Sequence, residues 1–89
     1  MMQLSRDLSS VTVVGLDLAK QVFQVCCVDE QGRMVVNRAL KRREVLAFFR
    51  RLPVCLVGIE ACSSAHHWAR ALIDVGHEVK LMPPAYVKA

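Results

Sequence analysis

Three β-rich runs follow one another near the beginning of the chain, and the links between them are short. The first two strands are predicted at residues 11–18 and 22–28, and the link between them contains Lys20 and Gln21. The turn sequence DEQG leads from the second strand to a third one at residues 33–40. Because parallel neighbours need a crossover of about a dozen residues, these three strands must form an antiparallel meander.

The spacing of the apolar residues becomes helical after the third strand. A first helix is predicted at residues 41–51, and Pro53 ends it. Its apolar side is formed by Val45, Leu46, Phe48, Phe49 and Leu52. A fourth strand follows at residues 54–59. Since this strand is reached through a helical crossover, we expect it to lie parallel to the first strand.

A second helix and a fifth strand complete the pattern. The helix begins near Ser63 or Ser64, where a serine can cap its first turn, and it ends at Gly76. Its buried stripe is predicted to contain Ala65, Trp68, Ala69, Leu72 and Ile73. The sequence HEVKLM forms the fifth strand, and a further helix is expected to begin at Pro84.

This order of elements predicts an α/β fold with a mixed sheet. A three-stranded antiparallel meander followed by parallel strands with crossover helices is the ribonuclease-H-like plan, in which the first and fourth strands lie side by side in the sheet centre. We assign residues 1–10 to a polar, disordered N-terminal segment. Residues 11–89 are assigned to one domain of this type.

Each of the two central strands carries one acidic residue. Asp17 lies in the run VTVVGLDLAK, which has the pattern of a buried strand, and Glu60 ends the run VCLVGIE. A buried, isolated carboxylate costs several kcal/mol unless its charge is offset. Successive side chains of a strand point to opposite faces of the sheet. Asp17 therefore shares a face with Gly15, and Glu60 shares a face with Gly58.

Neighbouring strands are about 5 Å apart, which would bring the two carboxylates within reach of one cation. The sequence therefore predicts that Asp17 and Glu60 are catalytic acids that share a divalent metal ion. The alternative is an ordinary aspartate at a strand end and an unrelated glutamate near a helix start.

The composition limits the kind of protein that this chain can be. It has 89 residues, enough for one small domain, and 54% of them are hydrophobic. The mean hydropathy of +0.31 favours a sheet covered on both faces, or a fragment that packs against more protein. No apolar stretch approaches the roughly 18 residues of a membrane span, and the N-terminus lacks the apolar core of a secretory signal. We therefore expect a cytoplasmic protein without a membrane partner.

The four cysteines show no C-x-x-C spacing. They are Cys26, Cys27, Cys55 and Cys62. We interpret them as reduced thiols that pack as small hydrophobic side chains. A zinc site formed by Cys62, His66 and His67 is an alternative, because Cys62 and His66 would lie one helical turn apart. This spacing matches no closed tetrahedral ligand set.

Basic residues are concentrated in one segment of a chain whose net charge is +4. The segment KRREVLAFFRR is compatible with contact to a phosphate backbone, and the solvated face of an amphipathic helix is the alternative. A tyrosine can stack on a base, and a lysine can contact a phosphate. The candidate nucleic-acid contacts are Lys20, Arg42, Arg43, Arg50, Tyr86 and Lys88.

Three segments of the chain resemble the N-terminal domain of the IS-one-ten group of insertion-sequence transposases, in particular its IS-eleven-eleven branch. The segments are VVGLDLAKQVFQVCCVDEQGRMV, GIEACSSAHHWARAL and GHEVKLMPPAYVK. They agree with the family in order and spacing, and they cover nearly all of residues 11–88.

The resemblance implies a RuvC-type nuclease fold with an Asp-Glu-Asp-Asp tetrad that binds Mg²⁺. Asp17 would be the first acid and Glu60 the second, whereas the other two and the serine nucleophile lie in family segments beyond Ala89. The resemblance also implies that the full-length protein cuts and rejoins DNA with a guide RNA of the element, as a homo-oligomer. The resemblance therefore implies that residues 11–89 are a partial RuvC-type domain, incomplete at its C-terminus, and the present chain alone is expected to be truncated and inactive.

Two other functions are compatible with the sequence. The chain could be a transposase remnant that binds nucleic acid without turnover. It could also be a lobe of an actin-like or sugar-kinase-like ATPase, since GLDLAK is similar to the phosphate loop of that fold. Against this, Ala19 replaces the glycine of the loop, and Gln21 and Val22 replace its Thr/Ser residues.

Overall fold

The computed structural model describes residues 8–18 and 22–83, which form a mixed sheet with helices. The strands are β1 (Val13–Leu18), β2 (Val22–Val28), β3 (Met34–Lys41), β4 (Leu56–Glu60) and β5 (Glu78–Met82). A 3-10 turn (Arg42–Glu44) leads into α1 (Val45–Arg50), and α2 (Ala65–Val75) connects β4 to β5. None of the helices in these two ranges combines the length and the apolar character that a bilayer crossing requires.

The strands lie in the order β3, β2, β1, β4, β5. The β1–β2 and β2–β3 pairs are antiparallel, which confirms the meander predicted from the short links. The β1–β4 and β4–β5 pairs are parallel, so β1 and β4 are neighbours in the middle of the sheet. The α/β class and the mixed sheet are therefore confirmed.

The helices that the structure describes cover one face of the sheet. Along β1 the burial alternates: Val14 and Leu16 are fully buried, whereas Val13, Gly15 and Asp17 are exposed. The buried residues join one core with α1 and α2. The face opposite the helices, called the open face below, is accessible. For this part of the chain, the expectation of a sheet covered on both faces is therefore wrong. β1 is buried on the face that the helices cover and exposed on the other.

The apolar sides of the helices follow the predicted pattern with one exception. The buried helical residues are Val45, Phe48, Phe49, Ala65, Trp68, Ala69 and Leu72. Ile73, predicted to be buried, is 53% exposed. Ser64 occupies the N-cap position of α2 but makes no side-chain capping hydrogen bond. Gly76 ends α2 with φ of 119°, the left-handed conformation that glycine adopts without steric cost.

The ends of the chain differ from the prediction where they are described. Residues 8–10 form a 3-10 turn, and Leu8 is buried in the core, so the disordered segment predicted for residues 1–10 does not extend over them. Thr12 donates its backbone N–H to the carbonyl of Val28, which extends the β1–β2 ladder. The helix predicted to begin at Pro84 lies outside the described residues.

Asp29 fixes the turn between β2 and β3. Its carboxylate accepts hydrogen bonds from the backbone N–H groups of Gln31 and Arg33 at 3.0 and 2.9 Å, and it pairs with the Arg33 guanidinium at 3.2 Å. The Arg33 backbone N–H is the main reason that the pKa of Asp29 is lowered. Gly32, the last residue of the predicted turn DEQG, has a φ of 79°, in the left-handed region that glycine adopts without steric cost.

His77 connects three elements in the core. Its Nε2 lies 2.8 Å from the backbone carbonyl oxygen of Phe49, and its Nδ1 lies 3.3 Å from the backbone nitrogen of Cys55. A carbonyl can only accept and an N–H can only donate, so the ring carries its hydrogen on Nε2. His77 therefore ties the end of α1 to the segment that enters β4, a role that was not predicted from the sequence.

The cysteines are free thiols with different surroundings. Cys27 and Cys55 are buried and Cys26 is half-buried, as expected for small hydrophobic side chains, but Cys62 is exposed. Burial raises the pKa of Cys27 to about 12, with smaller contributions from Cys55 and Cys26, and it raises the pKa of Cys55 to about 11.

These pKa values predict the order in which the thiols react. Because only the thiolate is alkylated, the raised pKa values and the burial of Cys27 and Cys55 should protect both thiols from iodoacetamide at pH 8.5 until the protein unfolds, whereas Cys62 is exposed to the reagent and should be labelled first. Stability should fall as the pH rises from about 9 towards about 12, since the unfolded thiols ionise first. Mass spectrometry of peptides labelled over time measures the order, and labelling of Cys27 as fast as Cys62 in folded protein would contradict it.

Candidate metal centre

The ends of β1 and β4 place the two predicted acids side by side. The last registered pair between these parallel strands joins Leu16 to Ile59, and Asp17 and Glu60 are the next residues. Neighbouring strands are about 5 Å apart, and the carboxyl ends of parallel strands meet at one edge of a sheet. We call this edge, which carries Asp17 and Glu60, the carboxylate edge.

Both acids lie on the open face. Leu16 and Ile59 are fully buried against the helices, and strand alternation turns the residue that follows each of them to the opposite face. Asp17 is exposed and Glu60 is half-buried. The expectation that Asp17 carries a desolvated charge is therefore wrong, because the face that it occupies is open to water.

Two glycines form the floor beside the acids. Gly15 and Gly58 are partners in the β1–β4 register. A Cβ atom built on Gly15 would meet nothing within 4 Å, so there is free space next to Asp17. A Cβ on Gly58 would lie 2.7 Å from Met82 Cε, so the end of the Met82 side chain covers this glycine. The free space for a ligand therefore lies over Gly15 on β1, next to Asp17.

Two further residues flank the acids in the same row of the open face. Asp17 is the register partner of Gln24 on β2, and Glu60 is the partner of Met82 on β5. The Gln24 side-chain amide donates a hydrogen bond of 2.7 Å to Asn37 Oδ1. Neither neighbour was predicted from the sequence, although the register set by the short β1–β2 link could have identified Gln24.

The ligand atoms that this site provides for a metal ion are mainly oxygens. Within residues 8–18 and 22–83, no three His, Cys, Asp or Glu side chains come together as a possible metal-binding group. The alternative zinc set of Cys62, His66 and His67 is therefore not assembled. Two carboxylates with water in the remaining positions suit a hard divalent cation such as Mg²⁺, which keeps several of its waters when bound.

Of the predicted nucleic-acid contacts that the structure describes, Arg42 and Arg43 are neighbours and Arg50 lies apart from them. Arg42 and Arg43 follow the end of β3, and Arg50 is the last residue of α1. The remaining candidates, Lys20, Tyr86 and Lys88, lie outside the described residues.

Comparison with known proteins identifies the relatives of the chain. It is 59% identical over 75 residues to a probable family 20 transposase of Pseudomonas aeruginosa, a match that covers 84% of this chain and 22% of the relative. It is 36% identical over 83 residues to the transposase for insertion sequence element IS1111A of Coxiella burnetii, covering 93% of this chain and 23% of the relative. Homologues of this chain are insertion-sequence transposases.

The similarity to these transposases is confined to a part of their length. A third one, the transposase for insertion sequence element IS1328 of Yersinia enterocolitica, is 34% identical over 79 residues, which is 89% of this chain and 24% of the relative. The chain thus spans less than a quarter of the curated transposases that it matches. No protein-family model matches the chain. The sequence identities to these proteins confirm the resemblance to insertion-sequence transposases.

Proposed function

We propose that this chain is the N-terminal, RuvC-type part of a transposase of the IS-one-ten group, IS-eleven-eleven branch. In this proposal Asp17 and Glu60 supply two carboxylates for Mg²⁺-dependent cleavage and rejoining of DNA. The observation that carries the proposal is the placement of these two acids on neighbouring parallel strands and on one face. The transposase homologues and the strand order of a ribonuclease-H-like sheet support it.

The chemistry of phosphoryl transfer explains why two adjacent carboxylates matter. A bound Mg²⁺ would neutralise charge that develops on the phosphate oxygens. The carboxylates of Asp17 and Glu60 would hold the ion at the carboxylate edge, where the free space over Gly15 leaves the phosphate group access. Because Asp17 is exposed, a metal-bound phosphate could reach it without rearrangement of the core.

The partners and the location follow from the same proposal. DNA is the substrate implied by the transposase homologues, and a guide RNA of the element and a homo-oligomer are further predictions. A cytoplasmic location stays a prediction as well.

Metal binding by the chain tests the proposal. Mn²⁺, a paramagnetic substitute for Mg²⁺, should broaden the amide NMR signals around Asp17 and Glu60 first, because the relaxation effect falls steeply with distance. Asp17→Asn and Glu60→Gln should each weaken the apparent Mn²⁺ affinity by about tenfold, since each removes one of two charged ligands. Asp74→Asn is the matched control, because Asp74 is an exposed acid on α2.

Two results would refute the metal site. One is broadening centred on a different part of the chain, and the other is an Asp17→Asn variant that binds Mn²⁺ as strongly as the Asp74→Asn control.

A further inference from the structure

Three consecutive basic residues lie at the carboxylate edge. β3 is antiparallel to β2, and β2 is antiparallel to β1, so β3 ends at the same edge as β1. Asp17, Gln24 and Ala39 are successive partners across these strands. Lys41 follows Ala39 by two residues, and it therefore lies on the open face, two strand spacings or about 10 Å from β1.

These residues line an open pocket, and none of the described residues that line it is acidic. Its volume is about 470 Å³, and it is lined by Val22, Lys41, Arg42 and Arg43. All four residues are exposed. Within the described ranges the Arg33–Asp29 pair is the one ion pair, so the cations of this pocket are not neutralised by a described carboxylate.

Arg42 is held in place by two buried aromatic rings. Its guanidinium carbon lies 5.6 Å from the centre of the Phe23 ring and 5.9 Å from that of Trp68. The two rings pack edge to face at 5.2 Å, which makes a rigid support. A guanidinium fixed by stacking keeps its planar set of N–H donors free for a bidentate contact with phosphate.

The turn that carries the three cations is also fixed. The Glu44 carboxylate accepts a hydrogen bond of 2.8 Å from the backbone N–H of Lys41. This bond closes the 3-10 turn at the end of β3, and it involves no basic side chain. The three cations therefore lie on an ordered turn. Replacement of their side chains should leave the backbone hydrogen bond of this turn intact.

The other two arginines of the basic segment lie elsewhere. α1 carries the chain from the carboxylate edge towards the start of β4, where Leu56 pairs with Val13 at the opposite edge. Arg50 and Arg51 follow at the end of this helix. Arg51 lines a separate pocket of about 180 Å³ that also contains the Glu44 side chain. The basic segment thus divides into two groups at different places.

We infer that Lys41, Arg42 and Arg43 form a phosphodiester-binding site that guides a nucleic-acid strand towards Asp17 and Glu60. Arg50 and Arg51 do not belong to it. The inference rests on the proposed function for the choice of a nucleic acid as ligand, and it adds which cations bind the backbone. Either DNA or RNA presents the required phosphodiester chemistry.

Two double variants that remove the same charge test the inference. Lys41→Ala/Arg43→Ala spares the aromatic contacts of Arg42, and Arg50→Ala/Arg51→Ala is its matched control. Binding of labelled single-stranded DNA, duplex DNA and RNA oligonucleotides is measured by fluorescence anisotropy at several salt concentrations in EDTA. The Lys41→Ala/Arg43→Ala variant should bind the oligonucleotides about tenfold more weakly than the parent chain, and the magnitude of its slope of log K against log salt should fall by about 1–2. The Arg50→Ala/Arg51→Ala control should lose less than about threefold in affinity.

A third variant examines the stacked guanidinium. Arg42→Lys keeps the charge but removes the planar fork, and it should weaken binding by about threefold with the salt slope unchanged. Circular dichroism of each variant confirms that it is folded. Equal losses in the two double variants, or no binding of any oligonucleotide by the parent chain, would overturn the inference. Because EDTA excludes metal, this outcome is independent of the Mn²⁺ experiment, and the polymer bound most tightly identifies the source of the phosphodiester.

Discussion

Replacement of Phe49 by alanine is expected to lower the free energy of unfolding by about 3–5 kcal/mol. Phe49 is fully buried, and its ring packs edge to face against Phe48 and His77, with both centroid distances at 5.6 Å. The short helix α1 has few other residues that attach it to the sheet. Since domains of this size have total stabilities of about 5 kcal/mol, the variant should be close to unfolded at room temperature.

Urea unfolding followed by circular dichroism measures this loss. Val54→Ala is the control for removal of an apolar side chain, because Val54 is 76% exposed, and its effect should stay within about 0.5 kcal/mol. A Phe49→Ala variant within about 1 kcal/mol of the parent would show that α1 does not pack as described.

Replacement of His77 by leucine is expected to cost about 2–4 kcal/mol. Leucine fills a similar volume but leaves the Cys55 N–H without a partner in the core. It also removes one of the hydrogen bonds that the Phe49 carbonyl accepts, although the backbone N–H of Leu52 still donates to this oxygen at 3.2 Å. A buried polar group that loses its partner costs more than the hydrogen bond contributed, because it has also lost its water. The change therefore weakens the junction at which α1 leads into β4.

Two measurements separate this mechanism from a general loss of packing. Urea unfolding gives the stability, and amide hydrogen exchange at Cys55 should become much faster in His77→Leu than the global stability explains. His66→Leu is the matched control, since His66 is exposed on α2. If His77→Leu unfolds at the same urea concentration as His66→Leu, the buried hydrogen bonds of His77 do not contribute to the free energy of unfolding.

The fold was predictable from the sequence because the link lengths leave few alternatives. The predicted links of three residues (19–21) and four residues (29–32) force β1, β2 and β3 into a meander, and the helical crossovers force β4 and β5 to run parallel to β1. β2 was predicted with the bounds that the structure shows, whereas β1 and β4 begin two residues later than predicted. Such shifts arise because strand ends depend on ladder hydrogen bonds that the apolar pattern does not encode.

The environment of the acids could not be predicted from the strand pattern alone. The run VTVVGLDLAK is apolar at nearly every position, which is typical of a strand buried on both faces. The structure instead leaves Val13 39% exposed and Asp17 on the open face, because the described helices pack on the other side. Whether a second layer covers a sheet depends on tertiary structure outside the strand itself.

The roles of His77 and Arg42 depend on contacts between distant parts of the chain. His77 contacts Phe49 and Cys55, which are 28 and 22 residues away in sequence. A histidine directly after a helix-ending glycine is a weak signal, and it does not show which carbonyl the ring meets. Arg42 appeared as one of several equivalent cations, and only its position over Phe23 and Trp68 distinguishes it.

The anomalous difference map of a crystal soaked in Mn²⁺ tests the shared metal site most directly. One peak is expected at the carboxylate edge, bonded to a carboxylate oxygen of Asp17 and to one of Glu60 at about 2.0–2.6 Å. A peak that touches one of these acids alone, or Mn²⁺ bound only elsewhere on the protein, would contradict it.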